Sequence, residues 1–412
     1  MHFRWLSGSI LELPLAVAFT GAVKIGGFFM LKIVILAIAF IFISPPIING
    51  VLPAIRDTLN LTQAQSEMFL TIPSIAMLFS ILASNIIIEK IGLKKTTFSG
   101  LLLIGLGGTL PVFTSNFTLI IIGRFILGCG LGLMSTPGIA YINVLFDEKE
   151  RATLMGYRGT VEQIGRSLLT LTAGLLFVFG WNFSFVPYGI AFILAILFYI
   201  FIPEVTEDAP AENGEHDKRD KMPLFVYLTI PFIMVIVLAG AAIDIRFPAL
   251  ATEAVGDTFN SSPIIAVKPI LGMIVASQFG RIYAKFGRNL IYIGLSWIIT
   301  AALLISFSNG NLIVLVAGFW IGGVAPVFIF PLIIMTISKR TSGKQQRLAL
   351  SFIMAAPHIS VFLMTPTMEL LQTIVGSSEL AAPYPILAII VVLTLIGVMA
   401  LRKRVFKVEA TY

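Results

Sequence analysis

Long apolar runs alternate with short polar breaks along almost the whole chain. Apolar stretches read at 31–54, 66–88, 97–114, 117–145, 153–180 and 184–202, and again at 223–247, 259–282, 289–307, 311–337, 346–372 and 383–401. Most are long enough, at about 1.5 Å per helical residue, to cross roughly 30 Å of hydrocarbon with tilt. A backbone in lipid must satisfy its own polar groups, so these spans are expected to be helices. The short alternating strands of a membrane barrel are not found in the sequence. The pattern predicts an all-α polytopic membrane protein with twelve transmembrane helices in two pseudo-symmetric six-helix bundles.

The breaks set the expected organisation. Residues 203–222, containing EVTEDAPAENGEHDKRDKM, are charged and poor in apolar side chains. They read as a cytoplasmic linker between an N-terminal bundle at 30–202 and a C-terminal bundle at 223–402, with a tail at 403–412. Residues 1–29 are apolar but interrupted by Glu12, Pro14 and Lys24, and Met30 directly precedes the first clean span. They are set apart as an N-terminal extension.

Lysine and arginine fall in alternate breaks. Lys90, Lys94 and Lys95 lie in one, and Lys149 and Arg151 in the next but one. Arg281, Lys285 and Arg288, then Lys339, Arg340, Lys344 and Arg347, continue the series, as do Lys218, Arg219 and Lys221 in the linker and the basic tail. By the positive-inside rule these loops and the C-terminus are expected in the cytoplasm, with the protein in the inner (plasma) membrane.

Composition narrows the function classes. Of 412 residues, 57% are hydrophobic and 12% charged, too apolar for a soluble domain of this size. The net charge of +7 sits in the short loops, so nucleic acid is excluded as a partner. One cysteine and three scattered histidines give no basis for a metal site. No Gly-x-x-x-x-Gly-Lys-Ser/Thr phosphate loop occurs, and no cofactor is expected. A membrane transferase would need paired carboxylates for a divalent ion, and the sequence has no such motif, so the chain is not expected to be an enzyme. A channel is the other alternative, and only turnover rate separates it from a carrier.

The halves overlay at an offset near 195. Lys90 falls on Lys285, Gly92 on Gly287, Gly123 on Gly318 and Gly128 on Gly323. Shared offset in the same break of each half points to duplication, a transporter pattern with the binding site between the repeats.

The segment 85–95, NIIIEKIGLKK, resembles the loop 2–3 signature of the major facilitator superfamily, a Gly-x-x-x-Asp-Arg-x-Gly-x-basic-basic pattern. Glu89 stands for the acid, Lys90 for the first base, Gly92 for the second glycine, and Lys94 and Lys95 for the trailing bases; Asn85 replaces the opening glycine. The second copy keeps Gly280, Lys285, Gly287 and Arg288, with Ala284 in place of the acid. IIGRFILGCGLG resembles the family's helix-4 motif through Arg124 and Gly128, with Leu127 where a glutamine is usual. GWNFSF at 180–185 resembles the junction of helices 5 and 6. The resemblance covers about 30–405. It implies alternating access, with the paired loops as a gate that engages in one of two rocking states. The Gly-Pro pair of many exporters is missing from the fifth span, which has Gly159, Gly165 and Gly174. SPPIINGVLPAI is loosely similar to cyanate/nitrate-type members.

Ionisable residues inside spans are functional candidates by default. Arg124 lies in span 4. Arg158, Glu162 and Arg166, spaced by four in span 5, share one helix face. Lys268 lies in span 8, Asp244 and Arg246 late in span 7, and His358 and Glu369 in span 11. Arg124, Arg158, Arg166 and Lys268 are expected to bind a substrate anion, since guanidinium and ammonium groups suit carboxylates. Glu162 is the first choice to carry a coupling proton and Asp244 the second. Asp244 and Arg246 also have the option of pairing locally.

The expected function is secondary active transport of a small organic molecule by a monomer in the lipid bilayer. Proton-coupled efflux of an amphipathic or anionic compound is the leading reading, and proton-coupled uptake of a small organic anion the alternative.

Overall fold

The computed structural model describes residues 25–205, 223–256, 259–341 and 343–405. Most of the expected N-terminal extension, nearly all of the linker and the last seven residues of the tail lie outside the described residues. Among the described residues every regular element is helical. In chain order these are α1 (Ile25–Ala39), α2 (Leu52–Thr58), α3 (Gln63–Ile91), α4 (Leu93–Thr109), α5 (Phe117–Leu145), α6 (Glu148–Leu176) and α7 (Ile190–Phe201). After the linker come α8 (Leu224–Val255), α9 (Ser262–Ser277), α10 (Phe279–Phe286), α11 (Leu290–Ser306), α12 (Leu312–Arg340), α13 (Gly343–Val375) and α14 (Tyr384–Val405).

Eight helical segments are long and apolar enough to cross a membrane on length and composition. The expected first, third, eighth and twelfth spans are shorter or broken. The first consists of α1, a 3-10 stretch at Pro45–Val51 and α2. Helix α1 begins at Ile25, inside the stretch set apart as an extension. The apolar parts of α9 and α14 cover 262–277 and 384–400.

Local chemistry explains the boundaries. Thr62 and Gln65 form a reciprocal capping box at the start of α3. Asn116 caps α5 through the Leu119 amide, and Asn311, at the repeat offset, caps α12 through Ile313 and Val314. Gly92 ends α3 at φ 85°, and Gly287 ends α10 at φ 52°, so both copies of the loop motif turn through backbone that glycine tolerates best.

Prolines supply the breaks, because each removes a donor and leaves a carbonyl one turn earlier without its helical partner. Pro73 does this to Phe69, whose carbonyl is taken by Arg124 Nε at 2.5 Å. Pro45 and Pro46 interrupt the first span. The carbonyl of Pro45 accepts from Arg124 Nη2 at 2.6 Å, and that of Ser44 from the Tyr188 hydroxyl at 3.0 Å. Pro248 frees the carbonyl of Asp244, which accepts from Asn49 Nδ2 at 2.6 Å.

Within the first repeat α5 packs against α3 and α4; within the second, α12 packs against α11, α9 and α8. The two repeats meet through α6 on α9 and α13 on α3. At one end of the molecule lie the basic turns that follow α3 and α10. A central cavity lies between that end and the other. At the opposite end the repeats are joined. Asn260 Nδ2 donates to the Gly174 carbonyl at 2.8 Å, and Ser261 Oγ to that of Gly50 at 3.2 Å. A buried ion pair adds to the closure, with Arg246 Nε 2.8 Å from Glu67 Oε1, while Arg246 Nη1 reaches Gln372 at 3.2 Å.

Candidate functional site

A cavity of 1140 Å³ lies between the repeats and takes its walls from both. From the first repeat come residues of the broken first span, α3 and α6; from the second, residues of α8, α9, α12 and α13. At its closed head, three charged side chains meet. Arg166 of α6 places Nη2 3.4 Å from Asp244 Oδ2. Lys268 of α9 forms an ion pair with Asp244 Oδ1. Two cations therefore share one carboxylate across the boundary between the repeats. Arg166 Nε is buried and has no partner, so the guanidinium keeps a donor in reserve.

Lys268 is held from two further sides. Its ammonium stands 4.3 Å from the centre of the Phe319 ring, which is stacked on Phe247 at 4.1 Å. Its aliphatic stem lies against Gly323 of α12, where a Cβ would meet Lys268 Cγ at 2.7 Å. In the first repeat the equivalent glycine, Gly128, lies against Pro73, the equivalent of Lys268. The same close approach thus accommodates a proline in one repeat and a lysine stem in the other.

The repeat offset runs through the rest of the site. Asn49 and Asp244 are 195 apart and touch. Gln163 and His358 hold equivalent positions and both line the cavity, as do Arg166 and Val361. The two repeats present matching frameworks to the cavity, with a charge on one member of the Asn49/Asp244, Pro73/Lys268 and Arg166/Val361 pairs and none on Gln163/His358.

The remaining predicted positions fall elsewhere. Arg124 is fully buried inside the first repeat and is not among the cavity-lining residues. All three of its nitrogens are engaged: besides the Phe69 and Pro45 carbonyls, Nη1 meets the Tyr188 hydroxyl at 2.7 Å. It ties the broken first span to α3. Arg158 and Glu162 pair with each other at 2.9 Å, and the Arg158 guanidinium stands 5.2 Å from the Phe42 ring centre. Neither lines the cavity. The stripe expected on α6 divides because the face toward the cavity carries Gly156, Gly159, Thr160, Gln163 and Arg166. Local pairing of Asp244 with Arg246 does not occur. Residues two apart point to nearly opposite sides of a helix, and Arg246 turns to Glu67 instead. Glu369 is exposed.

At the basic end, Glu89, Lys90 and Lys95 are exposed, and Lys94 stands 4.9 Å from the Tyr199 ring centre. Among the described residues Glu89 enters no ion pair. Gly280, Lys285 and Arg288 are exposed too, with Lys285 5.4 Å from the Phe286 ring centre. Glu67 is the important residue that sequence reasoning missed. It sits at the edge of the second apolar run, where an acid reads as a solvated helix start. Its buried position becomes legible only when Arg246 is brought opposite.

A family model for the Major Facilitator Superfamily matches residues 33–355. The hexuronate transporter of Bacillus subtilis is 26% identical over 255 residues, 58% of this chain and 60% of that protein. The chain therefore spans about three fifths of that relative's length. The multidrug efflux pump SdrM of Staphylococcus aureus is 27% identical, over 53% of this chain and 49% of that one. Among solved structures, a D-xylose-proton symporter superposes with a TM-score of 0.71 at 16% identity, covering 90% of this chain and 96% of that one. The inward-open xylose transporter XylE of E. coli gives 0.69 at 15% identity, covering 90% and 95%. The match over most of the sequence agrees with a duplicated helical fold that has a cavity between its repeats, and the chain belongs to the Major Facilitator Superfamily.

Proposed function

We propose that the chain moves a small organic anion across the membrane by alternating access, coupled to protons. The observation that carries this reading is the sharing of one carboxylate, Asp244, by Arg166 and Lys268 at the head of the cavity. Without cargo, Asp244 neutralises part of the positive pair. A cargo carboxylate competes for the same donors, and a proton on Asp244 releases them. Proton and anion then bind together, and the net charge of the cluster is +1 with or without them. Arg166 and Lys268 are the substrate-binding residues of this scheme and Asp244 the proton carrier. Arg124 and the Arg158–Glu162 pair act by positioning the first span and α6.

Alternating access needs an end that closes while the other opens. The Glu67–Arg246 pair supplies a cross-repeat bond opposite the basic end, with Gln372 of the second repeat also bonded to Arg246. Glu89 with Lys90, Gly92, Lys94 and Lys95, and Gly280, Lys285, Gly287 and Arg288, supply the gate at the basic end. We place the basic loops and the C-terminus in the cytoplasm of a cell whose plasma membrane holds the protein, following the distribution of lysine and arginine. The hexuronate transporter among the relatives supports an anionic cargo. The multidrug pump supports a second reading, efflux by proton antiport, which the apolar walls of the cavity also favour.

The test is proton flux in proteoliposomes containing a trapped pH dye. Addition of organic carboxylates is expected to dissipate an imposed pH gradient, and matched neutral compounds are not. Movement of cargo with the proton gives symport, and movement against it gives antiport. Asp244→Asn is expected to abolish gradient-driven accumulation and retain anion exchange. Unchanged accumulation in Asp244→Asn would remove Asp244 from coupling.

A further inference from the structure

Resting on the anion reading above, we infer that the cargo is a monocarboxylate with an apolar body, not a polyhydroxylated acid or a dicarboxylate. The argument lies in how the cavity walls change along each helix. All three charged side chains cluster at the closed head. Ser74, Gln163 and His358 lie at the same level, since Ser74 adjoins the repeat mate of Lys268, Gln163 is one turn from Arg166, and His358 is the mate of Gln163. Below that level the walls are predominantly apolar, with Thr160 on α6 and Ser277 on α9 the hydroxyl-bearing exceptions. Toward the basic end, α9 runs from Lys268 to Met273 and α3 from Ser74 to Met77. Helix α8 runs from Asp244 to Val237 and Ile236, α12 from Gly323 to Val327 and Phe330, and α6 from Arg166 to Met155. Phe42 closes the remaining side.

Counting about 1.5 Å per residue, these largely apolar walls extend roughly 4 to 16 Å below the charged cluster, depending on the helix. A second carboxylate or a ring of hydroxyls placed there would lose its water and find few partners, a cost that a hydrocarbon body avoids. Three methionines from three different helices, Met77, Met155 and Met273, give that region a pliable thioether surface suited to rings or short chains. The cargo so defined binds head first, its carboxylate against Arg166 and Lys268 and its body along the methionines.

The experiment is ligand binding to the purified full-length protein, read by thermal stabilisation and by intrinsic fluorescence. The probes are 3-phenylpropionate, its neutral amide, glucuronate and succinate. Phenylpropionate is expected to bind on the order of 10- to 100-fold more tightly than its amide, since the charged hydrogen bonds are lost with the carboxylate. It is also expected to bind at least about tenfold more tightly than glucuronate or succinate, the worth of a few buried methylenes. Met77→Gln is expected to weaken phenylpropionate about tenfold and leave glucuronate unchanged; Arg166→Gln is expected to weaken every carboxylate. Glucuronate or succinate binding as tightly as phenylpropionate overturns the inference and leaves the anion reading standing. An amide that binds as well as the acid overturns the anion reading itself. Binding of no probe, by a protein that unfolds cooperatively, overturns the inference.

Discussion

Lys268 owes its position to a missing side chain. Its stem lies where a Cβ on Gly323 would stand, and its ammonium is drawn to Asp244 and to the face of Phe319. Gly323→Ala is expected to push the ammonium off Asp244 and lower anion uptake at least about tenfold, the scale of a lost charge-assisted contact. In a Lys268→Ala background the same substitution is expected to cost little, because the obstructing stem is gone; equal losses in both backgrounds would show that the glycine serves helix packing alone. Arg124 gives the opposite case. Arg124→Gln strands the buried Phe69 carbonyl, leaves that of Pro45 only the Tyr188 hydroxyl at 3.3 Å, and is expected to destabilise the protein by about 2–4 kcal/mol. Transport of anionic and neutral compounds should fall in parallel, as measured by uptake normalised to folded protein. The sequence makes both residues legible as charges in apolar spans. It does not tell them apart, because the choice between a cavity and a backbone carbonyl is made by a neighbour dozens of residues away.

Proline writes the shape of the helices, and the orphaned carbonyls write the long-range contacts. Pro248 strips the helical donor from the Asp244 carbonyl, and Asn49 of the other repeat replaces it at 2.6 Å. Asn49→Leu is expected to cost about 1–3 kcal/mol in thermal stability, the penalty for a buried acceptor left unmade. Pro248→Ala returns an amide to that carbonyl. The double substitution is therefore expected to cost less than Asn49→Leu alone, and simple additivity in the double-mutant cycle would mean that the bond contributes nothing. The intraspan prolines at 73, 269, 326, 331, 357 and 366 are visible in the sequence. Pro45, Pro46 and Pro248 carry the consequences that matter most, and nothing local marks which freed carbonyl a distant Asn or Arg will reach.

At the scale of the whole molecule, the structure is closed at one end by polar contacts between the repeats and hollow toward the other. Glu67 and Arg246 are almost wholly buried, at 0% and 1% exposure, so removing one partner leaves the other charged in a place without water. Glu67→Gln is expected to weaken closure by about 3–5 kcal/mol. A cysteine placed at Ser261, in a Cys129→Ala background, should then react faster with an impermeant maleimide added from the closed side. The charge swap Glu67→Arg with Arg246→Glu is expected to restore slow labelling. Labelling that stays slow in Glu67→Gln would show that the hydrogen bonds of Asn260 and Ser261 suffice to hold the end shut.

The sequence by itself determined the class of this protein. Apolar runs of membrane length leave a backbone no solvent but its own hydrogen bonds, so helices follow. Alternating basic breaks are the ground for the proposed orientation, and the offset of 195 points to a duplicated chain. Those are properties of local composition and repeat, and they survive any packing. The tertiary structure decided which charges face the cavity. Arg158, Glu162 and Arg166 share a spacing, yet one joins Asp244 and Lys268 and two satisfy each other. Glu67 and Arg246, 179 residues apart, become a pair only when the repeats close. Such pairings depend on helix rotation and on the approach of elements remote in sequence, and a single helix pattern contains neither.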